Sequence, residues 1–524
     1  MNKNEKVLGQ DVEEVIAALP QRVSHKIWEW IEKTPTRDAV SDPKKQWTYA
    51  DLGNAIKSAR AHLDAHGVIA GDRLMVVIEN CCAVLAFMLA ASDMDVWVSV
   101  VNARMSNAEL DGIRQDCDPK HLICFVDYSK DAQRYGDFIG CKTVEDDLLG
   151  TLTCQTYPDS KAEAVEASAA EQVFAMIYTS GTTGKPKGVM LTHRNIGFIA
   201  TVSGALRGLE QMDRVYVVLP ISHVFGLAST CMGSLFAGAT LFMETRFDVE
   251  ICLNALRDKK ITVMQGVPPM YSMLIEGLKN HGLKADDLFL RYMSAGGAPL
   301  DPETKAITEN FFGRPLHNGY GLTEASPTIS QVRLNENLQT CSVGKPIPGQ
   351  EVKLMKTPDE QVKDGETGEL WVRGPNVMKG YFRKPEETAV VLNDQGWFNT
   401  QDLARQDEDG NLFIVGRSKE MIVRSGFNVY PAEVEATLNS HEGIIQSAVV
   451  GVEVEGNEEV HAFVQVPRKS TLSEAEIKAF CKERLTAYKR PSSITILHDL
   501  PASSTGKILK HHLKEMATAQ QAAG

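Results

Sequence analysis

EQVFAMIYTSGTTGKPKG, residues 171–188, sets an apolar run against a loop of unusual make-up. EQVFAMI reads as a buried strand, since a short run of Val, Phe, Met and Ile suits a strand enclosed on both faces. Glycines are then interspersed with Thr179, Ser180, Thr182, Thr183, Lys185 and Lys187. LTHRNIGFIATVSGAL (191–206) follows and reads as a helix. Strand, glycine-rich loop and helix in that order point to an α/β architecture.

The same alternation extends outward. LMVVIE (74–79), HLICFV (121–126), YVVLP (216–220) and ITVMQGVP (261–268) read as strands. Cys81–Ala91 reads as a helix, and Ser106 with Glu109 forms a capping-box pattern that starts another. A sheet-rich stretch is expected from about 342 to 416, with turns at KDGETGEL and DEDGNL. Beyond it, PAEVEATLNSH and SEAEIKAFCKERL read as helices, and QSAVVGV, HAFVQV and SITILHDL as strands. The tail ATAQQAAG is expected to fray. The fold class is thus α/β. Residues 1–418 form a large domain of parallel sheets covered by helices with a β-rich subdomain, and 419–524 form a small, mobile α+β domain.

Length and composition agree. A chain of 524 residues exceeds one ordinary core. With 43% hydrophobic and 23% charged residues it fits a globular protein. A net charge of −13 argues against a general nucleic-acid surface. The most apolar region, Cys81–Val101, is interrupted by Asp93 and Asp95, so no transmembrane segment is expected. The polar start MNKNEKVLGQDVEEV has no signal-peptide character, and the cytoplasm is the expected location. Ten cysteines, scattered without a CxxC pair, read as reduced thiols acting as small apolar residues.

The loop has the chemistry of an anion cradle. Glycines let backbone N–H groups approach closely, and hydroxyls and lysines add donors and charge. A triphosphate is the natural occupant. The order is not that of a P-loop, because Pro186 follows Lys185 where Ser or Thr would stand.

YTSGTTGKPKG resembles the signature loop of the adenylate-forming superfamily, which includes acyl-CoA synthetases, adenylation domains of peptide synthetases, and luciferases. Further matches follow in the family's order: PISHVFG (220–226), SAGGAPL (294–300), NGYGLTEASP (318–327), the stretch 396–435, and PASSTGKILKHHL (501–513). The resemblance covers nearly the whole chain. It implies that ATP and a small-molecule carboxylic acid form an acyl-adenylate with loss of pyrophosphate, and that a thiol then takes the acyl group.

By the same resemblance, Thr179, Ser180, Gly181, Thr182, Thr183, Gly184 and Lys185 hold the β- and γ-phosphates, with Lys187 adding field. Gly296, Gly297 and Ala298 lie along adenine. Asn318, Gly319, Tyr320 and Gly321 belong to the nucleotide motif, Tyr320 stacking on the base. Thr323 bonds the α-phosphate and Glu324 is the Mg²⁺ ligand. Asp402 takes both ribose hydroxyls and Arg417 the ribose. The family's usual Thr-Gly-Asp is here Thr400-Gln401-Asp402, which puts the local backbone shape in question. Lys507 is the adenylation lysine. Pro501 stands five residues before Gly506-Lys507, a setting similar to that of a lysine acetylated in bacterial relatives. Lys419 is the hinge about which the small domain rotates between half-reactions. His223, Ser425 and Gly426 would then line the channel for coenzyme A.

The stretches expected around the acyl group are apolar and small, without an Asp or Lys placed for an amino acid. A hydrophobic acid is expected, and the spelling of SGFNVYP and GYGLTEASPT favours medium- or long-chain fatty acids over aryl acids of the 4-coumarate type. Loading of a carrier protein and a non-catalytic nucleotide-binding relative are the other readings. A homodimer is allowed.

Overall fold

The computed structural model describes residues 6–180, 186–425, 427–454, 457–502 and 508–523. Its contacts divide the chain into two compact units. One holds residues up to Val352 together with Val372–Phe398, and the other holds Lys353–Trp371 and the residues from Asn399 on.

The first unit contains two large sheets. One has eight strands in the order Gly380–Tyr381, Pro186–Thr192, Val173–Ser180, Trp97–Asn102, Arg73–Ile78, His121–Cys124, Gly150–Thr156, Lys142–Asp146. The other has nine, in the order Lys345–Pro346, Thr328–Gln331, Leu316–Gly321, Tyr292–Ala295, Val263–Gly266, Arg214–Val217, Thr240–Met243, Asp38–Ser41, Gln46–Thr48. Both are parallel at the centre and antiparallel at the margins. The central strands Arg73–Ile78 and Trp97–Asn102 are buried at every position, as parallel strands covered on both faces must be. The helix Cys82–Asp93 has a similarly apolar sequence and is buried from Cys82 to Ser92. No helix among the described residues is long and apolar enough to cross a membrane.

Buried Asn80 links the two sheets at the end of Arg73–Ile78. Its amide donates to the carbonyls of Leu219 (3.0 Å) and Glu244 (3.2 Å), and its oxygen accepts from the N–H of Ile221 (3.0 Å). That fixes the start of PISHVFG.

Most of a five-stranded sheet lies in the second unit, where Gly365 and Gly410 take positive φ in the two expected turns. A three-stranded sheet pairs Gln446–Val454 antiparallel with Asn457–Gln465, and the latter parallel with Ser493–Leu497. Helices Pro431–Asn439 and Glu474–Arg484 cover one face through Val434, Leu438, Ile477 and Cys481. Lys510–Ala523 covers the other through Leu513 and Ala517. The α+β expectation holds. The tail does not fray as expected. Its helix runs to Ala523, because alanine and glutamine favour helix and Leu513 and Ala517 are anchored in the core.

Candidate active site

Val173–Ser180 and Pro186–Thr192 pair antiparallel, Thr179 opposite Lys187 and Ser180 opposite Pro186. The glycine-rich loop therefore joins two strands of one hairpin, and the helix His193–Leu206 starts only after the second strand. Gly181, Thr182, Thr183, Gly184 and Lys185 lie outside the described residues, and so do Gly426 and Lys507. Thr179 is half-buried at the hairpin's end.

Asn195 couples this hairpin to a distant segment. Its side chain closes the capping box with Thr192 at the helix start, while its amide donates to the carbonyls of Pro375 (2.7 Å) and Val377 (3.0 Å). Fully buried Asn376, between those two, donates to the carbonyls of Ala325 (3.0 Å) and Thr328 (2.9 Å). Ser326 returns a bond from its hydroxyl to the Asn376 carbonyl at 2.8 Å. The turn that carries Thr323 and Glu324 is thus lashed to the helix behind the hairpin.

Within that turn Thr323 is buried and Glu324 half-buried. The Tyr381 hydroxyl donates to Glu324 Oε1 at 2.9 Å, and the Met378 N–H donates to the Glu324 carbonyl at 2.8 Å. Burial, then the Glu324 charge, pushes the Tyr381 phenol well above its ordinary range, so it remains a donor. Lys187 lies over the Tyr381 ring, 5.0 Å from its centre, and pairs with Glu387 at 2.5 Å. Gly321 cannot be replaced here, because a Cβ would lie 2.0 Å from the Pro327 carbonyl oxygen. Tyr320 is half-buried beside it. Asn318 is buried, with its amide donating to the Cys341 carbonyl (3.1 Å) and its oxygen accepting from the Gly319 N–H (3.0 Å).

The segments PISHVFG and SAGGAPL meet. A Cβ on Gly296 would lie 3.1 Å from the Phe225 ring, and Gly297 takes φ +75°. Ala298 and Gly297 are exposed. His223 is exposed, and its Nδ1 accepts from the Phe225 N–H at 3.3 Å. Phe225–Met232 is a π-helix, an element found often at functional sites.

A polar cluster sits beside the apolar stretches expected around the acyl group. Arg207 is 3% exposed and donates to Gln265 Oε1 (2.5 Å) and to the carbonyls of Ser229 (2.9 Å) and Ser203 (2.9 Å). The Ser203 hydroxyl meets Gln331 Oε1 at 2.5 Å, and the Ser229 hydroxyl lies 3.3 Å from that of Thr328. Burial lowers the Arg207 guanidinium to about 10, so it stays charged at neutral pH.

In the second unit Asp402 and Arg417 face each other across paired strands, with Arg417 Nε 3.0 Å from Asp402 Oδ1. Asp402 is buried and Arg417 exposed. Gln401 takes φ +59°, the left-handed region that a glycine would occupy without strain. The backbone keeps its shape despite the side chain, and the Asn399 side chain holds the Gln401 N–H at 2.8 Å. Lys419 is exposed. Its neighbour Glu420 and Glu435 both grip Lys510, at 2.8 and 2.9 Å. Ser425 is exposed, with its N–H on Asn457 Oδ1 at 2.7 Å.

The family profile described as AMP-binding enzyme matches residues 27–382, and that of the AMP-binding enzyme C-terminal domain matches 433–507. The chain belongs to the AMP-binding enzyme family. The expected kinship with adenylate-forming enzymes holds. Among this enzyme's relatives is a feruloyl-CoA synthase of Amycolatopsis sp, 33% identical over 92% of this chain and 96% of the relative. A 2-succinylbenzoate–CoA ligase of Geobacillus kaustophilus is 32% identical over the same two shares. Among solved structures, o-succinylbenzoate coenzyme A synthetase (MenE) of Bacillus subtilis in complex with ATP and magnesium ion has a TM-score of 0.80. It is 28% identical, with 93% of this chain and 99% of that one covered.

Tyr381, Asn376 and Asn195 were not among the residues singled out in the sequence. The capping pattern Thr192…Asn195 was the one visible signal. Nothing local marks Tyr381 as the partner of a glutamate 57 positions earlier.

Proposed function

We propose that this AMP-binding enzyme is an ATP-dependent acid–CoA ligase. The observation that carries the reading is the bracing of Glu324 by Tyr381, on a turn tied through Asn376 and Asn195 to the phosphate-loop hairpin. In the first half-reaction a carboxylate oxygen of the acid attacks the α-phosphorus and the bond to pyrophosphate breaks. In the second, the CoA sulfur attacks the acyl carbon, AMP leaves, and the thiol proton passes to solvent. No protein nucleophile is needed; positioning and charge stabilisation suffice.

The residues fit that task. The carboxylate of Glu324 is the hard oxygen donor a Mg²⁺ ion requires. Bound there, Mg²⁺ would neutralise phosphate charge. Tyr381 fixes one carboxylate oxygen, so the donor keeps its orientation. Thr179, Ser180 and residues 181–185 would hold the departing phosphates, and Thr323 the phosphate that stays. Asp402, oriented by Arg417, would accept the ribose hydroxyls. Lys507 would offset charge on the α-phosphate and the attacking carboxylate, and Lys419 would be the hinge that withdraws it. The domain limits 1–418 and 419–524 belong to this proposal.

For the acid we favour an aryl acid over a medium- or long-chain fatty acid. Supporting this are the relatives named for 2-succinylbenzoate and ferulate. So does the buried cluster of Arg207, Ser229 and Gln265, which suits polar substituents better than a long alkyl chain. A panel of fatty and aryl acids tests both levels. Acid-dependent ATP–pyrophosphate exchange is expected, followed by thioester formation with free CoA. Exchange without thioester would move the reading to carrier loading. No exchange with any acid would remove it.

A further inference from the structure

We propose that His62, His66, His121 and Cys154 form a second metal site, of the tetrahedral zinc class, apart from the nucleotide machinery. One ligand atom from each lies within 4.8 Å of all the others. A bound Zn²⁺ with N and S ligands needs edges of about 3.3–3.8 Å, so side-chain rotations of roughly an ångström close the site.

Three separate elements bring the four residues together. His62 stands in the last turn of the helix Tyr49–Ala65, and His66 is one turn on, at the cap. That i, i+4 spacing places two imidazoles on one face. His121 opens the strand His121–Cys124, opposite Thr156 of the strand Gly150–Thr156, while Ile123 is opposite Cys154. The period of two then puts His121, Thr156 and Cys154 on one face of the sheet. His121 and Cys154 are buried, and His62 and His66 half-buried. The three imidazole centres lie 4.3–5.2 Å apart.

The hydrogen bonds suit ligation. His66 Nδ1 lies 2.8 Å from the His62 carbonyl oxygen, to which it must donate, leaving its Nε2 with the lone pair. His121 Nδ1 is held by the Thr156 hydroxyl at 2.9 Å. Metal-bound histidines are oriented by such outer partners. His62 Nε2 and His121 Nε2 face each other at 3.1 Å. In one tautomer this is an N–H···N hydrogen bond; in the tautomer with both Nδ1 atoms protonated, two lone pairs meet and a cation belongs between them. Burial lowers His62 to about 4 and His121 to about 3, so both rings are neutral at physiological pH. Burial holds the Cys154 thiol up at about 11, so metal uptake forms the metal–sulfur bond by expelling the thiol proton. The nearby charges are Asp146, which attracts a cation toward His62, and Lys142 beside Cys154.

Cobalt(II) titration of the chelator-stripped full chain tests this. One equivalent should bind, giving tetrahedral d–d bands and a thiolate-to-cobalt charge-transfer band, both abolished by added Zn²⁺. His66→Gln should weaken binding about ten-fold or more, and Cys154→Ser should remove the charge-transfer band. Both variants should keep their far-UV spectrum and pyrophosphate exchange. A wild-type chain that takes up no stoichiometric cobalt in excess Mg²⁺ overturns the site. Unchanged affinity in His66→Gln together with an unchanged spectrum in Cys154→Ser overturns it equally.

Discussion

Tyr381 supplies one hydroxyl to Glu324, and a hydrogen bond to a charged group contributes about 1.5–3 kcal/mol. Tyr381→Phe keeps the ring under Lys187 and removes only that bond. Pyrophosphate exchange should slow roughly ten-fold, with a higher Mg²⁺ requirement. An unchanged Mg²⁺ dependence would separate Tyr381 from Glu324. Gln401 offers the opposite case. Its left-handed backbone is strained for a side chain, so Gln401→Gly should stabilise the chain by about 0.5–1 kcal/mol, read as a higher urea midpoint. The sequence had already marked this position as a glycine replaced. Only the backbone angle tells that the strain was kept.

At the scale of elements, the turn Thr323–Thr328 depends on Asn376. Asn376→Ala would leave two buried carbonyls without donors and should cost about 2–4 kcal/mol in denaturant unfolding. Loss of exchange should exceed loss of structure, because the same turn carries Thr323 and Glu324. Here the limits of reading a sequence are physical. The runs 173–177 within EQVFAMI and 74–78 within LMVVIE announce themselves as strands, because both faces are buried and every residue in them is apolar. Their partners are not announced, since pairing is decided by packing over long separations. The phosphate loop reads as strand, loop, helix, whereas PKGVMLT forms a second strand first; it is too short and too mixed in polarity to stand out. The clustering of His62, His66, His121 and Cys154 was half visible. The helical pair has the right spacing, while His121 and Cys154 join it only through sheet register.

For the molecule as a whole, acid should weaken the fold. His193 is buried, with its Nδ1 accepting the Val23 N–H at 3.3 Å, and burial lowers its pKa from 6.5 to about 3. The unfolded chain therefore binds the extra proton first. The contribution is complete above pH 6.5 and falls by roughly 1.4 kcal/mol per unit as pH drops toward 3. Thermal melts between pH 7 and 5 should show the decline, and His193→Gln, which keeps an acceptor, should remove one histidine's share of it, leaving that of His62 and His121. The proposed two-state cycle is tested at the same scale. Lys507→Ala should lose adenylation by two orders of magnitude or more, about 2.7 kcal/mol at the least. It should still pass a supplied acyl-adenylate to CoA. Equal loss of both half-reactions would contradict a rotating small domain.

The eight-stranded sheet closes on one side with Gly380–Tyr381, which pairs with Val189 and Met190. On the ribosome, PKGVMLT is made long before its neighbour exists. At ordinary elongation speeds the delay is roughly ten to forty seconds. Throughout it, the outer edge of this strand presents unsatisfied N–H and C=O groups, the template on which nascent chains aggregate. Translation stalled before residue 380 should therefore yield chaperone-bound or insoluble product, and release past residue 382 should relieve it. The late arrival of two residues, one of them the glycine beside Tyr381, makes completion of this sheet and completion of the Glu324 bracket a single event in the life of the chain.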